Sequence, residues 1–173
     1  NITTKVSAVQ AADVLEEFGN KIKYVLDGGK CSIGIESTII DLTGRPAILR
    51  LGGIDISKIR KTLGIKVNIN LHPKNKTVPG QAHLHYSPGI PLKMNVKNPK
   101  KETAFILIKK RKTKLKNYYY LSTKSNLTEV AKNLYSCLRK IKNQGYKSIA
   151  VEKIPNKGMG KAINDRLYRA SRF

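Results

Sequence analysis

The 173-residue sequence has no tryptophan, only three phenylalanines, two cysteines and two methionines, and just 11 acidic side chains. Each shortage excludes something. Cys31 and Cys137 stand alone, without a Cys-x-x-Cys pair or a Cys/His ligand spacing, so neither a disulfide scaffold nor a zinc finger is expected. Cysteine used this way fits a reducing, cytoplasmic home. The longest apolar runs, such as Ala104–Ile108, fall far short of the ~20 residues that span a bilayer, so no membrane partner is expected. No basic segment followed by an apolar one opens the chain, which argues against a signal peptide. Asn1 begins it without an initiator methionine, as a processed product or a piece of a longer chain would.

Positive charge is what abounds. Against the 11 acidic residues stand 34 basic ones, a formal net charge of +23. It is unevenly spread: residues 1–90 carry +5 and residues 91–173 carry +18. Such a bias attracts phosphate-bearing partners, nucleic acid above all. A second reading competes, because 26 of the basic residues are Lys and only eight are Arg. Lys, Ile and Asn, which AT-rich codons favour, make up a third of the chain. Specific phosphate recognition leans on the Arg fork rather than on point-charge Lys. The surplus therefore reads either as a solvated surface or as a polyanion-binding one. With 40% hydrophobic and 26% charged residues the chain is folded rather than disordered.

Periodicity suggests alternating helices and strands. Ser7 is placed to cap a helix over Ala8–Phe18, and Lys23–Asp27 reads as a strand stopped by Gly28-Gly29. Ser37–Leu42 and Ala47–Leu51 are further β-rich runs, joined by the turn chemistry of Thr43-Gly-Arg-Pro46. Ile56–Leu63 reads as a short helix ended by Gly64. His72–Pro91 holds four prolines and no helical period, which predicts an extended linker. Beyond it, Thr103–Ile108 and Tyr118–Leu121 read as strands. A helix over Leu127–Lys142 capped by Asn126 follows, then a strand within Tyr146–Ile154 and a final helix over Lys161–Ser171. Strand–helix–strand order implies a parallel, Rossmann-like sheet.

Several motifs invite a function and mostly decline it. Gly158-Met-Gly-Lys161 lacks the spacing of a P-loop and the third glycine of a dinucleotide fingerprint, so a helix-packing turn is the better reading. His83 and His85 lie on one side of an extended chain, but the linker offers no carboxylate or thiol beside them. They read as hydrogen-bonding groups, and no metal site is expected. The Lys109–Lys116 stretch followed by Tyr118-Tyr-Tyr120 has the basic-plus-aromatic character of single-strand binders, although a solvated loop feeding a strand explains it too. More specific is the run from Asp27 through Ser37-Thr-Ile-Ile-Asp41 to Ile48-Leu-Arg50 and Gly52-Gly53. It sets hydroxyls at a strand mouth beside an Arg able to fork onto phosphate.

Ser37-Thr-Ile-Ile-Asp41 with Ile48-Leu-Arg50 and Gly52 resembles the closing half of the YrdC-like domain of threonylcarbamoyl-AMP synthases. Asn1–Ser7 is similar to that family's Ser-Ala-Asn-x-Ser-Gly-x-x-Ser stretch from its Asn onward, with Thr3-Thr4 in place of Ser-Gly. Pro79-Gly80 and His85-Tyr-Ser-Pro88 resemble the His-Tyr-x-Pro linker of two-domain members, and Gly158–Ala170 resembles their last helix. The resemblance implies an α/β fold in three parts. Residues 1–66 would be the C-terminal part of a YrdC-like catalytic domain, 67–92 a linker acting as a lid, and 93–173 a Rossmann-like C-terminal domain.

The activity it implies is condensation of L-threonine, bicarbonate and ATP into threonylcarbamoyl-AMP with release of pyrophosphate, for threonylcarbamoyladenosine in tRNA. By the resemblance Ser37 would contact threonine, Ser7 and Arg50 would contact ATP, and Tyr86 would fold back over the nucleotide. No residue is assigned to the chemical step itself, and Mg would enter as the counter-ion of ATP rather than on protein ligands. The family's Lys-x-Arg nucleotide motif lies ahead of the matching part. The chain therefore reads as one half of a split enzyme with a companion N-terminal half as a separate chain, as the product of a degraded gene, or as a shortened piece, and little or no activity alone is expected. The alternative reading is a non-catalytic basic module that holds tRNA, through residues 93–173, or a protein partner.

Overall fold

The structure, a computed structural model, describes residues 2–73, 78–112 and 115–172. Asn1, residues 74–77 of the linker, Thr113 and Lys114 of the basic stretch, and Phe173 lie outside the described residues. The described strands form two sheets. The first has the order β1 (Ile39–Asp41), β2 (Ala47–Arg50), β3 (Asn68–Ile69). The Asp41 carboxylate accepts the Thr43 amide at 3.0 Å, an Asx turn that reverses the chain and pairs β1 antiparallel to β2. Between β2 and β3, α2 (Ile56–Leu63) carries the chain over so that these two strands run parallel. Asp55 caps α2 by accepting the Ser57 amide at 2.7 Å, and Gly64 ends it with φ +65°, where any other residue would be strained.

The second sheet is wholly parallel, in the order β4 (Leu92–Lys93), β7 (Ile149–Val151), β5 (Ala104–Lys109), β6 (Tyr118–Ser122). One face is covered by α3 (Leu127–Lys142) and α4 (Met159–Ala170). Asn126 caps α3 as its sequence predicts, accepting the Thr128 and Glu129 amides at 2.8 and 3.2 Å. The spacing of Val130, Ala131, Leu134, Leu138 and Ile141 places all five in the core. Burying each large aliphatic side chain contributes about 1.5–3 kcal/mol. Phe105, Leu107 and Ala150 on the other face pack with Val96, Tyr118 and Tyr120 instead of a helix. The parallel α/β arrangement matches the expected fold class.

Two expectations fail. Lys23–Asp27 forms no strand: a β-rich run becomes one only against a neighbouring edge, and among the described residues none pairs with it. Its Tyr24 and Leu26 are 91% and 99% exposed. Ser7 does not cap α1, which starts later, at Ala11–Phe18 with Gln10 at the N-cap. The Asp13 carboxylate accepts the Val9 amide at 2.8 Å and ties down the chain entering the helix, while the Ser7 hydroxyl turns elsewhere.

The N-terminal segment and the linker both reach the second sheet's helical layer. Val6, Val9 and Tyr86 belong to the same apolar cluster as α3 and α4, and Ala162 of α4 joins the cluster beneath β2 and α2. Lys5 and Ser87 form a parallel bridge, with the Ser87 amide donating to the Thr4 carbonyl at 2.8 Å. Among the described residues no helix is long and apolar enough to cross a membrane.

Candidate active site

Arg50, the last residue of β2, reaches across to the chain just ahead of β1. Its Nε donates to the Ser37 carbonyl at 3.0 Å and Nη2 to Ser37 Oγ at 3.1 Å, while Nη1 donates to the Pro79 carbonyl of the linker at 3.0 Å. A planar fork with fixed donor directions suits such a three-way contact, which a lysine could not reproduce. Gly52 explains why the two chain segments come so close. A Cβ there would fall 2.2 Å from the Thr38 nitrogen and 2.3 Å from the Ser37 carbonyl carbon. Thr38 Oγ1, beside this contact, is buried without a partner among the described residues.

Gly80 joins the third predicted residue to this pair. A Cβ on Gly80 would lie 2.1 Å from Tyr86 Oη and 3.4 Å from Arg50 Cδ. Tyr86 is 1% exposed, has φ +58° and stacks on Tyr135 with ring centroids 5.7 Å apart, while the Arg166 guanidinium sits 5.0 Å from its ring centre. Its hydroxyl is buried without a partner among the described residues, and burial pushes it above the usual phenol range. His85 Nδ1 accepts the Tyr86 amide at 2.9 Å. Burial holds that imidazole below its usual value, which keeps the accepting nitrogen unprotonated at neutral pH.

Ser7 is linked through Glu36. The Ser7 hydroxyl donates to Glu36 Oε1 at 2.5 Å, Tyr135 Oη donates to Oε2 at 2.9 Å, and Arg166 Nε donates to Oε2 at 2.8 Å. Burial would raise the Glu36 carboxyl, but the Arg166 charge and the Ser7 hydrogen bond outweigh it and hold the group below the usual carboxylate range. Arg166 also donates to the Leu51 carbonyl at 2.7 Å and to Asp165 at 2.7 Å. Arg169, one turn on, donates to the Gln81 carbonyl at 2.8 Å and so grips the linker from α4. Thus Ser37, Arg50 and Tyr86 share one locality, and Ser7 stands behind it across Glu36.

Glu36, Tyr135, Arg166 and Arg169 were not singled out in the sequence. One signal was available: in a chain with eight arginines against 26 lysines, two arginines three residues apart beside Asp165 in one helix are out of character. Along the linker, Pro79, Gly80, Gln81 and His85 help to line an open cleft of about 760 Å³ next to Arg50's contact with Pro79. Among the described residues no group of three or more His, Cys, Asp or Glu is arranged to hold a metal ion.

Residues 54–172 match the family described as "Threonylcarbamoyl-AMP synthase, C-terminal domain", and residues 1–52 match the one described as "Telomere recombination". The chain belongs to the threonylcarbamoyl-AMP synthase family. It is 33% identical to the threonylcarbamoyl-AMP synthase of Pyrococcus abyssi (strain GE5 / Orsay), with all of this chain and 56% of that protein aligned. To the Bacillus subtilis (strain 168) synthase it is 28% identical over 99% of this chain and 55% of that one. The fold agrees with the crystal structure of P. abyssi Sua5 complexed with L-threonine at a TM-score of 0.82. Identity there is 31%, covering 99% of this chain and 56% of that one. A P. abyssi Sua5 variant with an adjacent His and Tyr both changed to Ala gives a TM-score of 0.79 at 30% identity, over 99% of this chain and 55% of that one. The chain therefore spans about half the length of the synthases it matches.

Proposed function

We propose that this chain forms part of an L-threonylcarbamoyladenylate synthase, a nucleotidyltransferase that joins L-threonine, bicarbonate and ATP and releases pyrophosphate. The product would serve threonylcarbamoyladenosine formation in tRNA, in the cytoplasm. The observation that carries the reading is the Arg50 fork set on Ser37 and on the Pro79 carbonyl of the linker. In it Ser37 contacts threonine, and Ser7, Arg50 and Tyr86 serve the ATP side, with the neighbouring linker cleft as the way in. Arg50 already holds three oxygens of the protein, so it could turn its fork to a phosphate by exchanging some of them. Mg would arrive with the triphosphate. Holding the linker down through Arg169 and Tyr86 supports its use as a lid that keeps water from an acyl-phosphate anhydride.

Calorimetric titration of the chain with ATP tests this. Removing one charge-assisted fork costs about 1.5–3 kcal/mol, so Arg50→Ala should weaken ATP binding by roughly 10- to 100-fold. Ser37→Ala should weaken threonine binding and leave ATP alone. ATP bound equally by Arg50→Ala and the parent chain would defeat the proposal. Salt-sensitive tRNA binding indifferent to Arg50→Ala would then favour the non-catalytic basic module.

A further inference from the structure

A second group of basic side chains lies away from Arg50, at the carboxyl edge of the parallel sheet. β5 and β7 are neighbours, yet the chain leaves them differently. β5 continues to β6 on its far side, whereas β7 is followed by α4, which packs beside α3. Where connections diverge in an open parallel sheet, a crevice opens beyond the strand ends, and ligands bind in it. Two adjoining clefts of about 610 and 350 Å³ reach that position, the first also running along the uncovered face of the sheet to Phe105, and share Arg111, Glu152 and Lys153. Lys97 lines the first cleft and Lys109 the second, and both, like Lys153, are exposed.

Among the described residues Glu152 is the only carboxylate lining either cleft, and it is already engaged. Its Oε1 accepts the Ile108 amide and its Oε2 accepts Arg111 Nη2 at 2.8 Å. The pair ties the end of β7 to the end of β5 and aims Arg111, whose side chain keeps 54% of its exposure. Three lysines around the Arg111–Glu152 pair, in a concave site, leave a net positive charge that concentrates the field.

We propose that this crevice is a phosphate-binding site, taking the phosphate groups of an RNA backbone or of a free polyphosphate. Arg111 is the anchor, since its fork matches a phosphate bidentately, and Lys97, Lys109 and Lys153 form a rim of point charges. The site gives part of the excess charge of residues 91–173 a location. It stands apart from the synthase reading, because none of its residues touches the Arg50 cluster.

The test uses the full chain with two probes, a labelled single-stranded RNA of about 12 nucleotides and inorganic tripolyphosphate. K109Q/R111Q/K153Q should weaken RNA binding by about tenfold or more and lower the salt slope by about two units. K100Q/K101Q/K147Q removes equal charge at the opposite sheet edge and should change the affinity by less than about twofold. Glu152→Gln keeps an acceptor for the Ile108 amide but removes the negative charge, so it should tighten binding, a gain that misfolding cannot produce. Arg50→Ala should leave RNA binding within about twofold, which separates this site's fate from that of the synthase reading, in which Arg50 takes a phosphate of ATP. Tripolyphosphate following the same pattern of variants would identify free phosphate as a ligand, and RNA alone following it would identify the backbone; either upholds the site. Equal losses from the two triple variants, no effect of Glu152→Gln, or no binding of either probe at low salt would overturn it.

Discussion

Arg166 donates to Glu36 at 2.8 Å across 130 residues of sequence, joining the last helix to the chain that leads into β1. The Arg166 side chain is 1% exposed and the Glu36 side chain 21%. With Tyr86 under the same guanidinium and Ser7 and Tyr135 on the same carboxylate, the pair is where N-terminal segment, linker and C-terminal helices meet.

Removing one partner of a buried pair leaves the other charge desolvated and alone, a cost of roughly 3–5 kcal/mol. Arg166→Met keeps most of the stem's packing and should lower stability by about that amount, read from the urea midpoint at unchanged slope. Arg166→Lys should restore only part of it, because an ammonium cannot serve Glu36, Asp165 and the Leu51 carbonyl in one plane. A loss below about 1 kcal/mol in Arg166→Met would mean that apolar packing alone holds α4 in place.

Acid should loosen the same junction in two steps. His85 is held below 6.5 by burial, so the unfolded chain takes up that proton first; its contribution is present above pH 6.5 and fades as pH falls from there. Glu36 is held below 4.5, so its contribution is complete above pH 4.5 and is lost as pH drops through its folded-state value. Melting temperature against pH should show both declines. His85→Asn should flatten the upper one and Glu36→Gln the lower. An unchanged lower decline in Glu36→Gln would show that other carboxylates govern it.

Much of this architecture was legible because it rests on local rules. The Asn126 cap, the apolar stripe of α3, the Gly64 stop and the β-rich runs of the two sheets act within a few residues, so sequence displays them. That Arg50 lies beside Ser37 was legible in two β-rich runs joined by a turn, which fold residue 50 back toward residue 37, whereas the roles of the two residues came only from the family resemblance. Lys23–Asp27 misled because β-propensity cannot report whether an edge is available. Ser7 misled because a hydroxyl suited to an amide cap is equally suited to a distant carboxylate. The burial of Tyr86 among Tyr135, Arg166 and Gly80 is a product of long-range packing, and a proline-rich linker gives no warning of it.

Tyr86 and Gly80 give a paired prediction. Tyr86→Phe deletes a buried hydroxyl with no partner among the described residues and should leave stability unchanged or raise it by up to about 1 kcal/mol. Gly80→Ala adds a Cβ 2.1 Å from that hydroxyl at φ +88°, and the ring, held by Tyr135 and Arg166, cannot swing aside. It should cost about 1–3 kcal/mol from crowding, with backbone strain in addition. In G80A/Y86F the crowding part should largely disappear, giving a coupling of about 0.5–3 kcal/mol in the double-mutant cycle. Additive effects would place the strain in the backbone alone.

Gly160 decides between the two readings of Gly158-Met-Gly-Lys161. A Cβ on Gly160 would fall 1.9 Å from the Pro155 carbonyl oxygen and 3.4 Å from Leu127 Cδ1, so the glycine lets α4 pack against the chain leaving β7. The obstructing atom is backbone, which cannot rotate away. Gly160→Ala should therefore destabilise the fold by about 1–3 kcal/mol, seen as a lower melting temperature. A phosphate cradle would behave in the opposite way, losing the ligand while keeping the fold, and that outcome would reverse the assignment of this turn.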